Sequence, residues 1–103
     1  MKEIDETYGR LWSVVTPDRN KARKIISEIE HGYGVKVNYK KDNRNELSVF
    51  FEDGVWLRWV RPTDNARGCR HGKLWCDKSV SYDDIELHIL TKYYGKREDI
   101  VWF

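Results

Sequence analysis

Long apolar runs are missing from this sequence. No stretch approaches the length needed to cross a bilayer. The start, Met1-Lys2-Glu3-Ile4-Asp5-Glu6, lacks the apolar core of a secretory signal and reads as a solvated, frayed end. The expectation is a cytosolic protein with no membrane partner. Cysteine is scarce: Cys69 and Cys76 are the two present. Without a secretory signal they read as reduced thiols rather than a disulfide framework. Charge of one sign is also lacking. A formal net charge of +2 removes any bulk electrostatic pull toward nucleic acid and leaves only local clusters to consider. Repeats, low-complexity tracts and linkers are absent, so the 103 residues read as one domain, 1–103.

What is present is aromatic. Five Trp and six Tyr give a small domain much buried area per residue, enough to close a core with few apolar positions. Hydrophobic residues at 40% and charged residues at 35% describe a globular chain rather than a disordered one.

The pattern predicts an α/β or α+β fold, a small mixed sheet of about five strands with two helices packed on it. Leu11-Trp12-Ser13-Val14-Val15 is a buried strand. Thr16-Pro17-Asp18 starts a helix with a hydroxyl cap, a proline at the first helical position and an acid in the first turn. Ala22, Ile25, Ile26 and Ile29 form its apolar face until Gly32 and Gly34 stop it. Val35, Val37 and Tyr39 alternate with polar residues as a half-exposed strand, and Asp42-Asn43-Arg44-Asn45 is a turn. Asp53-Gly54 joins two strand-like runs, 47–52 and 55–61, as a hairpin. Pro62 ends the second arm, 63–72 has loop composition, and 73–77 is a short strand. Ser79 or Ser81 caps a second helix with Ile85, His88, Ile89 and Tyr93 on one face, closed by Gly95. Asp83, Asp84 and Glu86 crowd its start, where the helix dipole favours negative charge, and need no chemistry. The apolar ending, Ile100 to Phe103, reads as an edge strand or docked tail able to pair with another chain's edge.

Residues 61 to 79, RPTDNARGCRHGKLWCDKS, hold the candidate chemistry. Cys69, His71 and Cys76 are three potential zinc ligands, but the second close-spaced pair of a structural site is missing, and cysteine in a buried strand behaves as a small hydrophobe. No cofactor or metal is expected. The serines sit in no recognisable nucleophile elbow, and Cys with His nearby in sequence lacks a third, orienting group, so no catalytic residue is assigned. Arg58, Arg61, Arg67, Arg70 and Lys73 concentrate in sixteen residues, with Trp56, Trp59 and Trp75 interleaved. Arginine beside exposed aromatics suits single-stranded nucleic acid, whereas rings turned to the core would leave arginines coating a solvent face. The candidate binding surface for protein or nucleic acid is Arg58, Arg61, Asp64, Arg67, Arg70, His71 and Lys73.

The order of elements resembles a shortened, degenerate P-loop domain of the phage terminase large-subunit type, over roughly residues 9 to 92. The strand 11–15 runs into a helix with Lys21 near its start, where a P-loop has its lysine. Asn65-Ala66-Arg67-Gly68 then precedes a strand ending in Asp77, where the Walker-B strand of that family ends in Asp-Glu. Val15, Asn20 and Ala22 replace the two glycines and the hydroxyl residue, and Lys78 replaces the second acid. Pro17 further removes a backbone donor that a phosphate cradle needs. The resemblance therefore implies lost ATP hydrolysis, with Lys21 and Asp77 as a vestigial nucleotide site or an ion pair. The expected function is a non-catalytic phage- or mobile-element-type protein that binds a host or phage protein and inhibits or adapts a nucleic-acid enzyme. Direct nucleic-acid binding, through the basic loop and the helix face Arg19, Lys21, Arg23 and Lys24, is the alternative.

Overall fold

The run Leu11-Trp12-Ser13-Val14-Val15 becomes strand β1 (Leu11–Val15), the centre around which the sheet is built. The computed structural model describes residues 9–63 and 70–103. Among them, β1 is followed by helix α1 (Arg19–Tyr33), strands β2 (Val37–Asp42), β3 (Leu47–Phe51), β4 (Trp56–Val60) and β5 (Lys73–Cys76), helix α2 (Tyr82–His88) and strand β6 (Val101–Trp102). The strands form one sheet in the order β2-β3-β4-β1-β5-β6. β1 runs parallel to both β4 and β5, β5 runs parallel to β6, and β2-β3-β4 is an antiparallel meander. The mixed α/β architecture expected from the pattern is present, with a sixth strand added by the apolar ending.

Alternation along β1 divides the core in two. Trp12 and Val14 face α1 and pack with Ala22, Ile26, Leu47, Val49, Phe51 and Leu57. Val15 faces the other way, with Val60, Leu74, Cys76, Ile85, Ile89 and Ile100. The two helices therefore cover opposite faces of the sheet. Leu57, Leu74, Ile85 and Ile89 are fully buried, each contributing about 1.5–3 kcal/mol of apolar transfer. Aromatic rings tighten the α1 side: Tyr33 meets Trp12 edge-on at 4.7 Å and Phe51 edge-on at 5.1 Å.

Local signals explain the boundaries. The first helix begins two residues later than its sequence signature suggests. Asp18, not Thr16, is the cap, its carboxylate accepting from the N–H groups of Asn20 and Lys21. Pro17 thus lies ahead of the helix, and the Thr16 hydroxyl is released for another partner. Gly34 closes α1 in the left-handed conformation, φ 69°, while Gly32 lies within the helix. The Asp53-Gly54 turn forms as expected: Gly54 takes φ 93°, and Asp53 accepts from the Val55 N–H. Ser81 caps α2, but this helix stops at His88, and residues 90–92 tighten into a 3-10 turn before Tyr93 returns to extended geometry. The second helix is accordingly shorter than the Ile85-to-Tyr93 face suggests.

Candidate functional site

The chain leaves β1 through α1 toward the β2 edge, and leaves β5 through α2 toward the β6 edge, on the opposite face. Strand order thus reverses between β1 and β5. In open α/β sheets that reversal leaves a crevice beyond the carboxyl ends of the strands, where ligands bind. Thr16, Lys21, Trp59, Arg61 and Asp77 stand at this end.

Asp77 organises the crevice. It is 1% exposed and directly follows β5. The Thr16 hydroxyl donates to its Oδ2 at 2.7 Å, the Ser79 N–H donates to its Oδ1 at 2.8 Å, and Lys21 Nζ lies 3.3 Å from Oδ2. Burial alone raises the pKa of such a carboxyl, but the hydrogen bonds from Ser79, Thr16 and Lys21 outweigh it and hold Asp77 down to about 2. The Thr16 oxygen also accepts from the Asp18 N–H, and the Thr16 carbonyl accepts from Trp59 Nε1 at 2.8 Å. Arg61 lies over the Trp59 ring, 4.0 Å from its centroid.

A second polar cluster is buried at the level of Ser13, on the α2 face of the sheet. Ser13 Oγ lies 2.7 Å from His71 Nδ1 and accepts from Arg58 Nε at 3.3 Å. Arg58 also donates to the Arg70 carbonyl and lies over Trp56 at 4.7 Å. His71 is fully buried, and its main chain ties the segment down, donating from its N–H to Lys92 and accepting from Tyr94. Burial, with the Arg58 charge second, pushes its pKa down to about 3, so the ring is neutral. Nε2 has no hydrogen-bond partner among the described residues. The Ser13–His71 contact has the form of a nucleophile–base pair, but both residues are 0% exposed.

The candidate surface read from residues 58–73 is therefore divided. Arg58 and His71 point inward, both meeting the Ser13 hydroxyl, because β4 alternation turns Arg58 to the same face as Ser13. Arg61, Arg70 and Lys73 are exposed. Lys73 lies over Trp12 at 4.8 Å and Trp75 at 5.6 Å. Asp64, Arg67 and Cys69 lie outside the described residues. Among the described residues no group of three metal-ligating side chains exists, and burial pushes the Cys76 thiol up to about 12. On the α1 basic face, Arg19 and Arg23 both pair with Asp42, at 2.7 and 2.8 Å, while Lys21 turns to Asp77.

Sequence reasoning placed Lys21 and Asp77 at one site through the terminase resemblance, and they do meet. It missed Thr16 as the third member, because Thr-Pro-Asp reads more simply as a cap. It also missed Ser13. The single hydroxyl inside an otherwise apolar central strand was the available signal, since a buried hydroxyl needs a partner. Comparison of the chain with models of known families, with curated proteins and with solved structures gave no match.

Proposed function

We propose that this is a non-catalytic binding protein of the kind phages and mobile elements encode, acting in the bacterial cytoplasm on a host or phage protein as an inhibitor or adaptor of a nucleic-acid enzyme. One observation supports the non-catalytic part: the polar groups at the strand-order reversal are bonded to one another. The N–H donors that would meet a phosphate at the start of α1 are directed to Asp18, and the acid that would serve a metal-bound phosphate is saturated by Thr16, Ser79 and Lys21. The terminase-like placement of Lys21 and Asp77 supports a vestigial nucleotide site. Its departures from a P-loop support the loss of hydrolysis and a remaining role in recognition.

The nucleic-acid alternative draws less support. Trp59 and Trp56 are half-buried and already covered by Arg61 and Arg58, so neither offers a bare face to a base. Arg19 and Arg23 are held by Asp42.

The test is affinity capture from bacterial lysate with and without nuclease, followed by titration of the recovered protein against the purified chain. A protein retained after nuclease and binding at one-to-one stoichiometry supports the proposal. Recovery that vanishes with nuclease transfers the function to nucleic acid. A thermal shift with magnesium and ATP that disappears in Lys21→Ala restores a working nucleotide site instead.

A further inference from the structure

The two edges of the sheet are not alike. β2 is guarded: Lys36, Lys40 and Lys41 lie on or beside it, paired with Glu52, Glu30 and Glu46, and its register with β3 shifts between Val37 and Tyr39. Edge lysines and bulges are among the devices that keep a strand from accepting another. β6 has neither. Its residues are Val101 and Trp102, 45% and 36% exposed, followed by Phe103.

The main chain of β6 is half used. Phe103 donates its N–H to the Cys76 carbonyl at 2.9 Å and accepts from the Lys78 N–H at 2.7 Å, both on the β5 side. Alternate residues of a strand bond to the same neighbour, so the N–H and C=O of Trp102 point outward from the sheet. Side chains await an added strand on both faces. Trp102 meets the exposed Tyr82 of α2 at 6.3 Å, and Val101 stands beside Trp75 on the α1 face.

Charge around this edge distinguishes the occupants. Glu86 and Arg97 pair with each other at 2.9 Å. Asp83 and Asp84 follow Tyr82, and Glu98 and Asp99 precede β6; all four are exposed and in no ion pair among the described residues, against the ammoniums of Lys78 and Lys96. A second copy meeting this edge by a two-fold would set these carboxylates against themselves. A basic, apolar strand meets complementary charge.

We infer that the β6 edge, with Trp102 and Tyr82 as its anchors, is a docking site where an extended segment of a partner protein, alternating basic and apolar residues, adds to the sheet as a further strand. This rests on the protein-binding reading above and names its surface.

The probe is a fluorescein-labelled seven-residue peptide of alternating lysine and valine, with a glutamate–valine peptide as its counterpart, each titrated against the full chain by anisotropy. The lysine–valine peptide is expected to bind about tenfold tighter or more than the glutamate–valine peptide, and less tightly as salt rises. Trp102→Pro, which removes the outward N–H, and the double variant Asp83→Lys, Asp84→Lys, which leaves the strand untouched, are each expected to weaken it about tenfold. Melting curves establish that each variant is folded, and if Trp102→Pro is not, the charge-reversed variant decides. Equal binding of both peptides, or binding unmoved by the charge reversal, overturns the inference. A concentration-dependent dimer in sedimentation, abolished by Trp102→Pro, overturns it in favour of a second copy. The captured partner separates the two levels. If it still binds both variants, this surface is wrong while the protein-binding function stands. If no partner is captured at all, the function itself falls.

Discussion

The hydroxyl of Thr16 donates to the carboxylate of Asp77 at 2.7 Å, across a sequence separation of 61 residues. This contact fastens the ends of β1 and β5 where the sheet reverses its strand order, and it fixes the charge state of the crevice. Asp77 is held ionised by groups that belong to the fold.

Replacing Asp77 with Asn therefore tests stability. Its folded pKa of about 2 lies below the ordinary carboxylate value of 3.8, so its contribution is present above pH 4 and lost as pH falls toward 2. The difference corresponds to about 2 kcal/mol. Urea unfolding at pH 7 should show Asp77→Asn destabilised by about that amount, with the gap to the parent protein closing near pH 2.

His71 governs a different window. Its folded pKa of about 3 lies below the ordinary 6.5, so the unfolded chain takes up a proton that the folded chain refuses. Stability is complete above pH 6.5 and falls between pH 6.5 and 3, by up to about 1.4 kcal/mol per pH unit. His71→Asn, which keeps a polar group near Ser13, should flatten this slope in unfolding curves between pH 6 and 4.

Cys76 should be inert. A fully buried thiol with its pKa pushed to about 12 presents no thiolate to a disulfide reagent at pH 8. In a Cys69→Ala background, Cys76 should react only at the rate of unfolding, and at once in denaturant.

Two glycines flanking Tyr33 should respond with opposite signs. Gly34→Ala forces a Cβ into the left-handed conformation and should cost about 1 kcal/mol. Gly32 lies within α1 with open space around it, so Gly32→Ala should stabilise by about 0.5–1 kcal/mol. Thermal melts of the two variants decide it.

The elements were legible wherever a local rule applied. The period of Ala22, Ile25, Ile26 and Ile29, the Asp53-Gly54 turn and the Gly34 stop each act within a few residues, and each appears where the pattern places it. The shift of the first cap from Thr16 to Asp18 was not legible, because the competing partner for Thr16 is Asp77, far along the chain. The same holds for Arg58 and His71. Neither type is usually fully buried, and the hydroxyl that both meet, Ser13, is on a strand distant in sequence. Site residues whose environment is set by strand neighbours come from topology, and no periodicity reports which strands will be neighbours.

The position of β1 has a consequence for how the chain comes to be folded. Among the described residues it precedes every other strand in sequence, yet its flanking strands, β4 and β5, lie far along the chain. α1 and the β2-β3-β4 meander can organise from nearby sequence while β1 waits, an apolar ribbon with both edges bare. The pairing of this buried strand on both edges is therefore complete only when residues 73–76 arrive.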